Sequence, residues 1–347
     1  MSKDKNHNTI SFIERDIDFI NSIDGIKLSG TLSIPNSDTK HPCVILISGS
    51  GAHTRDQVVL GHKIFRDIAH YLSNNGIAVF RFDDRGVGKS EGLFKTAGLT
   101  DFRNDIISAF HHLQKEPNID KNKIGVLGHS LGGLIAPMVE NQLMGQLAFL
   151  ISLAGTGMIG YELYIKQHEL IAQVRGTTSS ELQKRTEINR KICDLILQTE
   201  DKKKLMQQIR KISLAAYGKK SFFRKCFETI KLNIIFLLYK QIMEIYTHPW
   251  FRDFLLTNPK DYWTSVQCPV LAINGGKDLQ VPAENLDIIE SYVKEGGGNI
   301  ETKLFPDMNH LFQSAQKGLP EEYAKIKSSI SNDVLDYITN WIKKVVS

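Results

Sequence analysis

Cysteine is scarce in this 347-residue chain, and the four it has are scattered. Cys43, Cys193, Cys226 and Cys268 form no CxxC pair and no Cys/His cluster, which argues against a disulfide framework and a structural zinc site. Long apolar runs are missing as well: the nearest, Ile234 to Leu238, is far shorter than the roughly 20 residues a bilayer span needs. The first residues place Lys3, Asp4, Lys5, Glu14, Arg15 and Asp16 where a secretory leader needs an apolar stretch. A soluble, cytoplasmic protein without an integral membrane segment is the expectation. Internal repeats and low-complexity linkers are lacking, and no glycine-rich phosphate fingerprint follows the first parallel strand. With no ligand cluster either, neither a metal nor a cofactor is expected.

The charge imbalance is slight overall, at +5, but it is unevenly distributed. Between Thr156 and Leu255 there are 18 Lys or Arg against 10 Asp or Glu, while the remainder of the chain is slightly acidic. A nucleic-acid surface would need clustered cations and a binding motif. Here the basic residues are interspersed with acids along helical patterns, which reads as a solvated helix surface, so no nucleic-acid partner is expected.

What the chain has in quantity is alternation of strand and helix. From Ile13 to Ser33, two β-rich runs flank Asp24-Gly25 and predict an antiparallel hairpin with a tight turn. The runs CVILISG, IAVFRFD, IGVLGHS and AFLISLAG are continuous and apolar, as strands buried on both faces must be, and helical patterns separate them. This rhythm predicts a mainly parallel sheet. It stops from 156 to 255, where the pattern is helical throughout, and resumes with CPVLAINGG and ETKLFPD before a terminal helix through Trp341. The expected organisation is a core of residues 1–155 and 256–347, interrupted by an inserted helical cap at 156–255, since that interruption is too long for a connecting loop.

The strongest chemical signal is Gly128-His129-Ser130-Leu131-Gly132, which ends one buried strand and opens an apolar helix. A turn this tight needs glycines on either side and lifts the serine hydroxyl above the sheet, beside the free N–H groups of the helix start. A hydroxyl is a poor nucleophile until a base takes its proton, so a histidine oriented by a carboxylate is required. Asp278 follows the strand VLAINGG and His310 follows ETKLFPD, giving the chain order serine, acid, histidine. Asp307 is the next acid to consider. Of the other histidines, His111 and His112 read as helix-surface residues, His248 as a cap-border residue, and His53 and His129 as neighbours of the site. A developing oxyanion needs backbone donors, each worth about 3–4 kcal/mol in the transition state. Leu131 N–H is one candidate. The other lies in Ser48-Gly49-Ser50-Gly51 after the first buried strand, where Ser50 N–H is favoured and the GK[ST] ending of a P-loop is absent.

These pieces together resemble the α/β-hydrolase superfamily, and more narrowly the bacterial esterases grouped with serine aminopeptidase-like and dienelactone-hydrolase-like sequences. The matching segments are SGSGAHTRD at 48–56, FDDRGVGKS at 82–90, GHSLGG at 128–133, HPWFRDFL at 248–255, GGKDLQVP at 275–282 and MNHLF at 308–312. The resemblance implies Ser130 as nucleophile, Asp278 as acid, His310 as base, and Ser50 and Leu131 as oxyanion donors. Arg55-Asp56 and Asp84-Arg85-Gly86 match loop motifs that hold the rim of the site. Dehalogenases of this fold carry Asp where Ser130 stands and are excluded by the same comparison. The activity implied is hydrolysis of a small-molecule carboxylic ester through an acyl-serine. A serine peptidase is the alternative within this chemistry, and a non-catalytic binding protein on the same scaffold the alternative outside it, although such proteins usually lose a triad member. The apolar run at 234–238 makes Phe236 and Leu237 candidates for the acyl pocket, with ordinary cap core as the competing role.

Overall fold

The computed structural model describes residues 11–217 and 244–347. Contacts divide the described chain into two units. Residues up to Phe94, Thr100–Gly157 and Pro259–Ser347 form the first, and Lys95–Leu99 with the described part of Met158–Asn258 forms the second.

The first unit is built on an eight-stranded sheet, in the order β1-β2-β6-β3-β7-β8-β9-β10. An antiparallel hairpin, β1 (Phe12–Ile20) and β2 (Lys27–Pro35), forms one edge and pairs antiparallel with β6 (Ala78–Phe82). From β6 onward every pair is parallel: β3 (His41–Ile47), β7 (Ile119–His129), β8 (Leu150–Leu153), β9 (Val270–Gly275) and β10 (Ile300–Phe305). A small separate ribbon joins β4 (Val58–Val59) to β5 (His62–Lys63).

The hairpin turn is wider than Asp24-Gly25 predicts. Ile20 pairs with Lys27, and residues 21–26 close the loop through Asn21 N–H to Ile26 O and Gly25 N–H to Asn21 O, both 2.9 Å. The reason is polar. Asn21 is buried and donates its side-chain amide to Asp105, while Asp24 accepts from Arg85. Satisfying these buried groups outweighs the preference for a two-residue turn.

One apolar layer covers a face of the sheet. Helix α1 (Ile64–Asn74) contributes Ile64, Phe65, Ile68, Ala69 and Leu72, a spacing that keeps one stripe on the sheet side. The terminal helix (Asn332–Val345) adds Val334, Leu335, Ile338, Trp341 and Ile342 to the same cluster, and Ser331 caps its start by accepting from Asp333 N–H. Helices α2 (Leu99–Leu113) and α3 (Leu131–Leu143) complete the chain's return paths between strands.

The sheet order decides where a site can form. The chain moves from β3 to β6 on one side, then crosses to β7 on the other. Crevices open beyond the carboxyl ends of strands at such a reversal. Ile47 lies opposite Gly128, so the loop after β3 and the turn after β7 emerge side by side.

The second unit contains helices α4 (Gly160–Val174), α5 (Ser179–Gln198), α6 (Lys202–Tyr217) and α7 (Pro249–Leu256). Thr178 caps α5 by accepting from Glu181 N–H at 3.4 Å. Leu163, Ile188, Ile192, Ile196, Leu205 and Ile209 are buried in it. Tyr164, Tyr246 and Phe251 pack as an aromatic group, with the two tyrosine hydroxyls 2.8 Å apart. Among the described residues, no helix is long and apolar enough to cross a membrane.

Candidate active site

Ser130 sits between β7 and α3 with φ 56° and ψ −118°, a conformation that non-glycine residues rarely adopt. Such strain costs about 1–3 kcal/mol and persists only where the surroundings enforce it. Here Ser130 N–H donates to Leu153 O at 2.9 Å, and Gly133 N–H donates to Ser130 O at 2.9 Å. The flanking glycines are sterically required. A Cβ on Gly128 would lie 2.1 Å from Gly132 O, and one on Gly132 would lie 2.2 Å from Ile47 O. Leu131, the first residue of α3, has an N–H with no intrahelical acceptor.

Beside the turn runs the loop after β3. A Cβ on Gly49 would come within 3.3 Å of Ser130 Cβ, so backbone and nucleophile candidate are packed together. Ser50 follows directly. Its carbonyl accepts from His53 Nε2 at 2.9 Å, which fixes the proton on that nitrogen. Asp84 holds the loop at two points: Oδ1 accepts from Ser48 Oγ at 2.6 Å and Oδ2 from His53 N–H at 2.8 Å. Asp84 borders a cavity of about 20 Å³, which it shares with Gly49, Gly51 and Phe82. Loss of hydration pushes its carboxyl up to about 7, against the lowering effect of the bonds from Ser48 and His53.

Asp278 and His310 meet. Both are buried, and His310 Nδ1 lies 2.7 Å from Asp278 Oδ2. The other carboxylate oxygen accepts from Gln280 N–H at 2.8 Å and Val281 N–H at 2.9 Å. The loops carrying the pair are tied by Gly276 N–H to Phe305 O and Lys277 N–H to Met308 O, both 2.9 Å. Asn309 braces the histidine loop by accepting from Leu311 N–H and Gln313 N–H. Asp307 points elsewhere: it is exposed and pairs with Lys277 at 2.9 Å. With Nδ1–H donated to a carboxylate, His310 Nε2 is left as an acceptor.

Ser130 Oγ makes no hydrogen bond among the described residues, so the structure brings acid and histidine together and leaves the serine unlinked. Contacts of such sites often close only when substrate is present. The serine is nonetheless beside the histidine loop through its neighbour. The His129 and His310 rings stand 4.8 Å apart, and His129 Nε2 is 3.0 Å from His310 O. His129 Nδ1 lies 2.7 Å from Gln57 Nε2. His129 is fully enclosed, and lost hydration together with repulsion from His310 pushes its pKa down to about 3.

The motif residues at the rim form ion pairs. Arg55 engages both oxygens of Asp83, and Arg85 both oxygens of Asp105, while Arg81 reaches Asp56 at 3.2 Å. His111 is exposed, His112 faces Glu116, and His248 accepts from Trp250 Nε1. No group of three or more His, Cys, Asp or Glu among the described residues could hold a metal ion. Phe236 and Leu237 lie outside the described residues. Sequence reasoning passed over Gln57 as part of the site and gave Asp84 only as one of the loop residues that hold its rim. The one signal for Gln57 is its place directly after Arg55-Asp56, and for Asp84 its place in the glycine-punctuated loop.

Comparison with known proteins points the same way as this geometry. The family described as serine aminopeptidase, S33, matches residues 40–216, and the dienelactone hydrolase family matches residues 246–346. Esterase EstD of Thermotoga maritima is 26% identical over 337 residues, covering 96% of this chain and 68% of that one. An uncharacterized peptidase of Bacillus subtilis, YtmA, is 22% identical over 319 residues, covering 92% and 90%. Among solved structures, the esterase Pf2001 of Pyrococcus furiosus superposes with a TM-score of 0.58 at 16% identity, over 97% of this chain and 92% of that one.

Proposed function

The chain belongs to the serine aminopeptidase S33 family within the α/β-hydrolase superfamily, and from that premise we propose that it cleaves carboxylic esters through an acyl-serine intermediate. Ser130 Oγ attacks the ester carbonyl carbon while its proton passes to His310 Nε2. The oxygen that becomes negative accepts from Leu131 N–H and Ser50 N–H. His310 then returns the proton to the departing alkoxide, the C–O bond breaks, and the acyl group remains on Ser130. Water, activated by the same nitrogen, repeats the sequence and releases the acid. Asp278 keeps the proton on Nδ1, so Nε2 stays available, and it stabilises the imidazolium that forms in each half-reaction.

The observation that carries this reading is the buried Asp278–His310 pair at 2.7 Å, held beside a serine in a strained strand-to-helix turn. The name of the Thermotoga relative favours ester substrates. A peptidase is the second reading, favoured by the family description and by the name of the Bacillus relative. It needs a free carboxylate for the substrate's amino terminus, and both Asp278 and Asp84 have their oxygens engaged. In either reading residues 156–255 are taken as an insertion in the hydrolase core.

A fluorophosphonate probe tests the nucleophile. One adduct is expected, located by mass spectrometry on the peptide bearing Ser130, and Ser130→Ala should lose both the label and several orders of magnitude of turnover. An adduct on another serine overturns the assignment. Acyl-length series of p-nitrophenyl esters, run beside amino-acid anilides, separate esterase from peptidase.

A further inference from the structure

Three loops must hold register for the proposed reaction: the one after β3 with its backbone donors, the turn at Ser130, and the one carrying His310. They come from distant parts of the chain, and one buried series of hydrogen bonds runs through all three. Gly49 N–H donates to Gln57 Oε1 at 3.4 Å, Gln57 Nε2 donates to His129 Nδ1 at 2.7 Å, and His129 Nε2 donates to His310 O at 3.0 Å.

The direction of these bonds is determined by chemistry. A carbonyl oxygen can only accept, so His129 Nε2 carries the proton. In a neutral ring Nδ1 then accepts, and Gln57 has to present its amide nitrogen. That choice leaves Gln57 Oε1 to accept from Gly49. No member of the series can be reversed without placing two donors or two acceptors face to face. Gln57 and His129 are 1% and 3% exposed, so water cannot substitute for a lost partner. Gln57 also takes φ 43°, a left-handed conformation that glutamine seldom adopts, so its side chain is held in place at some conformational cost.

We propose that Gln57 and His129 act as one positioning unit, a buried strut that sets the distance between the donor loop, Ser130 and His310. The inference rests on the acyl-serine reading above. Neither residue touches substrate or exchanges a proton with it. Their effect is on where Ser130 Oγ meets His310 Nε2, a contact the reaction requires. Because positioning matters at the chemical step, loss of the strut should lower kcat and leave KM almost unchanged.

The test is a double-mutant cycle of Gln57→Met and His129→Phe, each close in shape to the residue replaced, with p-nitrophenyl acetate as substrate. Each single variant should lose about 10- to 100-fold in kcat, the loss expected for a reacting group displaced by about 1 Å, with KM within about twofold. The double variant should be no worse than the poorer single one, because residues that act as a unit are not additive. His129→Gln, whose amide nitrogen can reach the position of Nε2, should recover part of what His129→Phe loses. If His129→Phe does not fold, His129→Gln takes its place in the cycle, and melting temperatures are recorded for all. Wild-type kcat in a folded Gln57→Met, or losses that multiply in the double variant, overturns the strut. The fluorophosphonate keeps the two levels apart: failure of the wild-type protein to label at Ser130 refutes the acyl-serine reading, whereas normal labelling and turnover in Gln57→Met refutes the strut alone.

Discussion

Replacing Asp278 by Asn changes one atom, and the structure states what that atom must do. Oδ1 accepts from Gln280 N–H and Val281 N–H, and Oδ2 faces His310 Nδ1 at 2.7 Å. An asparagine has one oxygen to offer. Kept towards the two backbone donors, it presents its NH2 to His310, and Nδ1 must become an acceptor. The ring proton then sits on Nε2, where it blocks acceptance of the serine proton. The alternative orientation restores the histidine but turns the NH2 against two buried N–H groups. Leaving two buried donors unsatisfied costs about 1–3 kcal/mol each, so the productive orientation lies about 2–6 kcal/mol above the unproductive one. At about 1.4 kcal/mol per tenfold, Asp278→Asn should lose roughly 30-fold to 10⁴-fold in kcat. The fold should be retained, since the preferred orientation keeps the backbone bonds. Initial rates on p-nitrophenyl acetate, with melting temperature as control, measure this. A folded Asp278→Asn with kcat within about threefold of wild type would falsify the argument.

Asp84 makes stability fall as pH rises: its carboxyl is raised to about 7 from an ordinary value near 3.8, so the folded state holds the proton more tightly than the unfolded one across that window. Asp84→Asn can still accept from His53 N–H and donate to the Ser48 hydroxyl, so its melting temperature should gain on wild type between pH 5 and 8, and an unchanged difference sinks the assignment. Gly132→Ala places a methyl 2.2 Å from a carbonyl of β3, so a lower melting temperature and loss of fluorophosphonate labelling are expected. Trp341→Ala removes a buried ring that packs edge-on against Phe149, a loss of about 3–5 kcal/mol. Its kcat per folded molecule should stay at the wild-type value, and a selective loss of kcat would show that the terminal helix does more than cover the sheet.

The features legible in the sequence are those with short-range causes. Continuous apolar runs mark β3, β6, β7 and β8 because strands covered on both faces have no polar side. The elbow glycines are visible because close backbone approach leaves no other residue type there. Other features depend on partners far along the chain. The two-residue strands at 58–59 and 62–63 are too short to carry a period, and β7 begins at Ile119 in a polar stretch that resembles a loop. The wide hairpin turn answers to Asp105 and Arg85, more than sixty residues from Asp24. Beyond its place after Arg55-Asp56, Gln57 carries no local mark of its role, because the role exists only once β7 and the loop after β10 have closed around it.

The sheet order also sets a timetable. Ser130 follows a central strand, while its proposed base follows an edge strand, and 181 residues separate His129 from the carbonyl it binds. At about 5–20 residues per second of synthesis, the interval between them is roughly 9–36 s. Throughout that time the serine turn, if formed, has neither a base nor the strut that places one, so its hydroxyl is chemically inert. On the acyl-serine reading, a nascent chain therefore gains its reactivity only once the segment beyond β10 has emerged and docked. Latency on that reading is written into strand order.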